Sequence, residues 1–167
     1  MRLGVASAPV RTATGADATA LHALSEPFMR SGALRDRTPA DYRAAAGEFL
    51  LAPGPGGAPD GCVALRVLAP EPGHPAAGAL YNLCVRADRQ AAGVGSRLLE
   101  GLLGAAGRRG LRTVFAATTG GGALFARYGF TPVPAARAPR SWAAGLDPAR
   151  GSTVHLLALP GRGPADL

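Results

Sequence analysis

The stretch ALYNLCVRADRQAAGVGSRLLE, residues 79–100, organises the fold that we predict for this chain. Its first seven residues are apolar, aromatic or β-branched, with one asparagine, and a polar turn follows them, which is typical of a largely buried strand. After the turn, apolar side chains recur at the spacing of one helical face. They are Val94, Leu98, Leu99, Leu102, Leu103 and Ala106. The stretch therefore predicts a strand, a turn and a helix.

The entrance of this helix favours an anion. Short residues precede its leucines, namely Ala91, Ala92, Gly93 and Gly95. The first N–H groups of a helix have no partner within it and carry the positive end of its dipole. Because these side chains are short, a phosphate can approach the N–H groups closely.

The spacing of the glycines shows which known type of phosphate-binding loop the chain matches. A dinucleotide fingerprint needs a third glycine where this chain has Leu98, and a Walker loop needs a lysine, which the chain does not contain. What remains is Gln90-x-x-Gly93-x-Gly95. A closely packed connection between strand and helix would also favour two glycines, so the downstream sequence has to distinguish the two interpretations.

A second motif follows at a suitable distance. Residues 111–115 predict a strand that ends in AATT, and residues 120–130 predict a helix that closes in Phe-Ala-Arg-Tyr-Gly-Phe, residues 125–130. Together with the loop, this resembles the GNAT family of N-acyltransferases over residues 8–134. The resemblance implies an α/β fold with a mixed, splayed sheet and helices on both faces, acetyl-CoA as co-substrate, a small-molecule amine as acceptor, and no metal.

The element order agrees with that fold. We predict a strand at 8–13, helices starting at Thr14 and Thr38, strands at 48–52 and 62–68, and, after the second motif, strands ending at Val133 and Leu159. Pro27 is expected to weaken the first helix near its end. Residues 134–150 are expected to be irregular.

The resemblance also assigns the donor site. It implies that the main chain of Leu83, Cys84 and Val85 holds the thioester and that the N–H groups of residues 91–96 hold the pyrophosphate. The implied cofactor-binding set is Leu83, Cys84, Val85, Gln90, Ala91, Ala92, Gly93, Val94, Gly95, Ser96, Arg97 and Phe125.

The acid and base of the family have no direct match. Phe125 stands where many members have a tyrosine that protonates the departing thiolate, and phenylalanine cannot donate a proton. No glutamate lies on the central strand, so Tyr81 and Asn82 are the nearest polar groups, and we expect them to act through water. Cys84 is interpreted as a packed side chain rather than a nucleophile.

One subgroup resembles the chain further. The pair Thr118 and Thr119, the ending FARYGFTPV and the segments GAL and FLLA look like the acetyltransferase domain of N-acetylglutamate synthases. That resemblance implies glutamate as the leading acceptor, with Arg35, Arg37, Thr118 and Thr119 as substrate-binding residues. Arginine grips a carboxylate at two points, although surface arginines are also common in this chain.

Two other functions stay open. Acidic residues near Glu71 and His74 would favour a cationic acceptor, such as an antibiotic or another secondary metabolite. The missing acid and base would also suit an acyl-CoA-binding module that has no turnover.

Composition limits the remaining classes. The 167 residues, 47% of them apolar, predict one domain, 1–167, with flexible ends at 1–7 and 160–167. The net charge of +7 comes from scattered arginines with few aromatics, so we expect no nucleic-acid partner. Lacking a leader or an apolar run of about 18 residues, the protein is expected to be cytoplasmic, away from membranes, with Cys62 and Cys84 reduced. The edge near the last strand would allow a homodimer.

Overall fold

A computed structural model describes residues 8–120 and 122–160. The predicted flexible segments 1–7 and 161–167 lie outside the described residues. The helices are α1 Ala18–Arg30, α2 Pro39–Ala44, α3 Val94–Arg108, α4 Ala123–Arg127 and α5 Arg140–Ala144. The strands are β1 Arg11–Thr12, β2 Phe49–Pro53, β3 Pro59–Leu68, β4 Ala77–Val85, β5 Thr113–Thr118, β6 Thr131–Val133 and β7 Thr153–Ala158.

The strands form one open, mixed seven-stranded sheet in the order β1-β2-β3-β4-β5-β7-β6. β4 pairs with β5 in parallel, whereas β1 with β2, β2 with β3, β5 with β7 and β6 with β7 are antiparallel. The α3 helix supplies the crossover that a parallel pair requires. The predicted mixed α/β sheet is confirmed.

The chain contacts divide it into two compact units. Within the described residues, the first unit comprises 8–64 and 82–101 and contains α1, α2, the end of β4 and the start of α3. Its core includes Leu21 of α1, Tyr42 of α2, Phe49 and Val63, each fully buried. Tyr42 packs against Phe49 with ring centroids 5.5 Å apart.

The second unit comprises residues 65–81, 102–120 and 122–160 of the described chain. Ala77, Phe115, Ala138 and Val154 form a buried apolar cluster, against which Trp142 packs. The centroids of the Phe115 and Trp142 rings are 5.9 Å apart.

Local signals explain where the helices begin. The Asp41 carboxylate accepts the Thr38 N–H at 2.8 Å while the Asp41 N–H donates to Thr38 Oγ1, and Pro39 occupies the first turn of α2. This reciprocal pair satisfies N–H groups that a helix start leaves without partners. The same pattern precedes α1, where Asp17 accepts the Thr14 N–H.

Pro27 lies within α1, three residues before the helix ends at Arg30. Two details differ from the sequence-based predictions. The helix predicted at 120–130 is only α4, since Gly129 takes a φ of 92° and ends it. The region 134–150, predicted as irregular, contains α5.

No helix within residues 8–120 and 122–160 is long and apolar enough to cross a membrane. Within the same residues there is no group of three or more His, Cys, Asp and Glu side chains placed to hold a metal ion.

Candidate active site

The glycine loop, residues 90–95, leads from the segment after β4 into the first turn of α3. Ala91 and Gly93 have φ angles of 69° and 80°, in the left-handed region. Left-handed residues in a turn direct successive N–H groups to one side, which is how main-chain anion sites are made. The Gly93 carbonyl accepts the Arg97 N–H at 3.1 Å and so starts the helical ladder. Residues 91–93 are exposed, and a Cβ placed on Gly93 would meet no protein atom within 4 Å.

Side chains fix both ends of the glycine loop. Gln90 Nε2 donates to the carbonyl of Val85 at 3.1 Å, which ties the loop back to the strand that precedes it. Arg97 reaches in the other direction, and its Nη1 donates to the Ala8 carbonyl at 3.5 Å. The predicted loop residues are therefore brought together at the start of α3.

A buried carboxylate supports the turn before the loop. Asp60 is 5% exposed, and its Oδ2 lies 3.3 Å from Arg89 Nε. Its Oδ1 lies 3.9 Å from Arg86 Nη1 and has no hydrogen-bond partner among the described residues. Arg86 also contacts Asp88 at 2.9 Å. A buried charge needs such partners, so Asp60 holds both arginines of the turn.

A glycine sets the distance between β3 and its neighbours. A Cβ on Gly61 would lie 2.9 Å from the Cys84 carbonyl oxygen and 3.0 Å from side-chain atoms of both Val94 and Leu98. Only glycine permits this approach. Gly61 thus allows the end of β4 and the first turn of α3 to pack closely beside β3.

Asn82 interrupts the regular conformation of β4. Its φ of 52° is left-handed, which asparagine tolerates better than most residues, and its side chain is 4% exposed. A left-handed residue departs from the extended conformation of a strand and turns the chain, and we call this turn at Asn82 the bulge of β4. The bulge lies immediately before Leu83, Cys84 and Val85, the residues to which the resemblance assigns the thioester.

The Asn82 side chain is held by a cluster of buried polar groups. Nδ2 donates to Ser25 Oγ at 3.0 Å and to Cys62 Sγ at 3.5 Å, and Oδ1 accepts the Tyr42 hydroxyl at 2.9 Å. Cys84 Sγ lies 3.8 Å from Ser25 Oγ. We call Ser25, Tyr42, Cys62, Asn82 and Cys84 the Asn82 cluster. Burial raises the pKa of the Tyr42 phenol, so this hydroxyl remains a neutral donor.

Arg37 connects the Asn82 cluster to the segment between α1 and α2. Its Nη1 donates to Asn82 Oδ1 at 3.3 Å, and its backbone N–H points at Met29 Sδ, 3.2 Å away. Arg37 is half-buried, whereas Arg35 is exposed. Of the two arginines predicted to bind substrate, Arg37 is therefore the one that the structure brings to the bulge.

The other predicted residues belong to the second unit. Thr118 Oγ1 donates to the Gly120 carbonyl at 2.7 Å, and Thr119 is exposed. Phe125 is buried between Phe130 and His155, with centroid distances of 5.3 and 5.9 Å. Tyr81 lies beneath the Arg66 guanidinium, 4.9 Å from its ring centroid. Their assigned roles stay predictions.

Sequence reasoning missed Ser25, Tyr42, Asp60 and Gly61. Each lies 20 or more residues from its partner in the first unit: Ser25 is separated from Asn82 by 57 positions and Tyr42 by 40. Asp60 lies just before the strand predicted at 62–68, so its burial carried no local signal either. All four required the tertiary structure.

Two solved structures that contain coenzyme A resemble this chain over most of its length. The N-acetylglutamate synthase of Neisseria gonorrhoeae, complexed with coenzyme A and N-acetyl-glutamate, is 26% identical with a TM-score of 0.82; the match covers 90% of this chain and 35% of the synthase. Rv2747 of Mycobacterium tuberculosis, in complex with CoA, is 24% identical with a TM-score of 0.77, covering 92% of this chain and 100% of that one.

More distant structures share only the fold. The Escherichia coli ribosomal-protein-S18-alanine N-acetyltransferase is 17% identical with a TM-score of 0.66, and 93% of this chain and 96% of that chain are covered. The comparison with curated proteins gave no match. The model of the acetyltransferase (GNAT) family matches residues 18–130. The chain therefore belongs to the acetyltransferase (GNAT) family, as the glycine loop and the Phe125–Phe130 motif predicted, and acetyl-CoA is the donor that this family uses.

Proposed function

We propose that this protein transfers the acetyl group of acetyl-CoA to the α-amine of a small amino acid, with glutamate as the leading acceptor. The acceptor amine attacks the thioester directly while both substrates are bound. Holding two reactants in line supplies about 7 to 11 kcal/mol of the barrier reduction, so a covalent enzyme intermediate is not needed.

The contact between Arg37 and Asn82 carries this proposal. This contact places the half-buried Arg37 guanidinium at the bulge of β4, where Asn82 Oδ1 accepts its hydrogen bond. A guanidinium donates two parallel hydrogen bonds to a carboxylate, so Arg37 can bind the carboxylate of an acceptor at this position. The similarity to the Neisseria gonorrhoeae synthase, crystallised with N-acetyl-glutamate, supports the same acceptor class.

The donor side of the proposal uses main-chain groups. The N–H groups at the start of α3 and in the glycine loop bind the pyrophosphate, with Arg97 beside them. Leu83, Cys84 and Val85 present their backbone to the pantetheine arm, and the Asn82 cluster holds that strand segment in place. Asn82, whose polar side-chain atoms all have partners within the cluster, serves to position this backbone.

A cationic acceptor is less well supported. Glu71, which would have attracted it, accepts the backbone N–H of Arg140 at the start of α5 and takes part in a β-bridge with His74. Its carboxylate therefore caps a helix. A module that binds acyl-CoA without turnover keeps the support of Phe125, which cannot protonate a thiolate.

One assay separates the three functions. Purified protein is mixed with acetyl-CoA and either acidic amino acids, neutral amino acids or aminated metabolites, and both thiol release and the mass of the product are measured. We expect release with glutamate and little with γ-aminobutyrate, which lacks the α-carboxylate. Release only with aminated metabolites would support the second function, and tight binding without release the third.

A pair of arginine variants tests the acceptor site. Arg37→Gln should raise the KM for glutamate about 10- to 100-fold, since a charged hydrogen bond contributes roughly 1.5–3 kcal/mol. The dissociation constant for acetyl-CoA should stay unchanged. Arg35→Gln, the matched control at an exposed position, should have a smaller effect. An unchanged KM in Arg37→Gln would remove the main support for a carboxylate-bearing acceptor.

We also propose a cytoplasmic protein and a homodimer that pairs through β6, which stands at one end of the strand order. Light scattering of the purified protein tests the dimer, which a monomeric mass would contradict.

A further inference from the structure

Two thiols face each other inside the Asn82 cluster. Cys62 Sγ and Cys84 Sγ are 3.8 Å apart, and the side chains are 0% and 4% exposed. Both are free thiols. Neither has a chemical role in the proposed transfer, so a contact between the two cysteines of this chain calls for its own account.

The main chain holds these cysteines beside each other. The Arg86 N–H donates to the Asp60 carbonyl at 2.8 Å, two positions from each cysteine along the chain. The sulfurs of Cys62 and Cys84 are 3.8 Å apart, and a disulfide needs about 2 Å, so forming the bond requires the two side chains to approach by roughly 2 Å.

We propose that Cys62 and Cys84 are a modification site, at which a peroxide forms a reversible disulfide that switches off acetyl transfer. The inhibitory part of this inference rests on the proposed function, whereas the disulfide itself does not.

The reaction balances with one peroxide. The Cys84 thiolate attacks a peroxide oxygen and the O–O bond breaks. The hydroxide or alkoxide that leaves takes up the proton that Cys84 had released, so the products are a sulfenic acid and water or an alcohol. Cys62 then attacks the sulfenic sulfur, the S–S bond forms, and the sulfenic oxygen leaves as water with the Cys62 proton. Cys84 is 4% exposed whereas Cys62 is 0% exposed, so Cys84 is the first thiol to react. The hydrogen bond between the two thiols acts in the same direction, since it raises the pKa of Cys62 and lowers the pKa of Cys84.

The bond would disturb the bulge that supports the donor strand. Cys62 Sγ donates to the Asn82 carbonyl at 3.5 Å and accepts from Asn82 Nδ2 at 3.5 Å. A disulfide sulfur has no proton to donate, and the two sulfurs must approach to about 2 Å. The Asn82 carbonyl would thus lose the Cys62 thiol as its donor, and the sulfur that accepts from Asn82 Nδ2 would be displaced. The left-handed conformation of Asn82 sets the path of Leu83, Cys84 and Val85.

The experiment uses the full chain and separates chemistry from activity. Protein is treated with hydrogen peroxide, unfolded, alkylated and weighed by intact mass spectrometry. We expect the loss of two hydrogens with no alkylation, a peptide that joins residues 62 and 84, and two alkyl groups after dithiothreitol. The rate of acetyl-CoA consumption should fall about 100-fold, the effect of a misplacement near 1 Å. Dithiothreitol should restore it.

Controls address the other oxidisable groups. Met29, whose sulfur contacts the Arg37 N–H, is also open to peroxide, so diamide, which oxidises thiols and spares methionine, should give the same inhibition. In Cys62→Ser neither oxidant should form the link, and diamide should leave the rate of acetyl-CoA consumption as it was before treatment. Cys84→Ser should also remain unlinked.

Two results would overturn the inference. One is wild-type protein that keeps two alkylatable thiols at the oxidant doses used. The other is linked protein that binds and consumes acetyl-CoA as the reduced protein does. If no acceptor supports transfer, acetyl-CoA binding by calorimetry replaces the rate, and the mass measurement still decides whether the disulfide forms.

Discussion

Asn82 shows how one residue can combine backbone and side-chain roles. Its left-handed backbone bends β4, and its amide binds groups from α1, α2 and β3. Each of these contacts is buried, where an unsatisfied polar group costs about 1–3 kcal/mol. The residue is therefore held in one conformation, and the main chain that follows it is fixed as well.

Gly93 permits the first test at the residue scale. Gly93→Val should weaken acetyl-CoA binding about 100-fold, because a β-branched residue at a φ of 80° is strained by about 1–3 kcal/mol and covers the exposed N–H groups. Calorimetry measures the dissociation constant, and thermal melting reports the strain. Gly107→Val, at an exposed position of α3 where an added Cβ meets nothing, is the matched control. Unchanged affinity in Gly93→Val would exclude the loop as the pyrophosphate site.

Tyr42 permits a second test. Tyr42→Phe deletes the hydroxyl that donates to Asn82 Oδ1, and the unsatisfied oxygen should cost about 1–3 kcal/mol of unfolding free energy. Urea denaturation measures this loss, and acetyl transfer should slow because the bulge is less well held. Tyr128→Phe, a half-buried tyrosine at the end of α4, should leave transfer nearly intact. If transfer were slower in Tyr128→Phe than in Tyr42→Phe, the roles that we assign to the two tyrosines would be wrong.

At the scale of elements, the start of α1 depends on one carboxylate. Asp17 binds both Arg11 nitrogens at 2.9 Å and accepts the Thr14 N–H at 2.8 Å. The Arg11 guanidinium, followed by the Thr14 N–H, lowers the pKa of Asp17 from 3.8 to about 2. A lowered pKa means that this stabilisation is complete above the ordinary value and is lost as the pH falls through about 2.

Asp17→Asn tests this cap. The variant should be about 1 kcal/mol less stable than the wild type at pH 6, a value reduced from the full pKa shift because Arg11 is half exposed and solvent screens the pair. The difference should shrink between pH 4 and pH 2, since the wild-type carboxyl then becomes protonated. Urea titrations at several pH values measure it. Asp36→Asn, at an exposed position of the connection after α1, should change stability little. If the stability difference at pH 2 equalled that at pH 6, the charge of Asp17 would not be the source of the stabilisation.

At the scale of the whole molecule, the positive net charge favours the binding of acetyl-CoA. The net charge of +7 belongs to a chain with 18 arginines and 11 acidic residues, and acetyl-CoA is a polyanion. The kcat/KM for acetyl-CoA should fall about tenfold between low and high ionic strength, because salt screens electrostatic steering. Acetylpantetheine, which has the thioester but no phosphate, is the matched control and should respond weakly. Equal salt dependence of the two donors would show that the net charge plays no part in donor capture.

The sequence determined the parts of this protein that depend on short-range pattern. The glycine loop, the apolar face of α3, the caps of α1 and α2 and the order of most elements follow from periodicities and spacings within a few residues, where local physics acts. The family followed from two such local motifs. The α5 helix did not, because it lies in the region 134–150, expected to be irregular, where Trp142 packs against a buried apolar cluster.

Only the tertiary structure decided the support of the candidate site. Ser25, Tyr42, Cys62 and Asn82 meet across separations of 20 to 57 residues, and Asp60 reaches Arg89 from the neighbouring strand. Single polar residues carry no periodic signal, and their partners are set by strand register and by the packing of α1 and α2. The preference for Arg37 over Arg35 as the acceptor-binding residue has the same origin. Two arginines this close together in a connection differ only in what the folded chain places beside them.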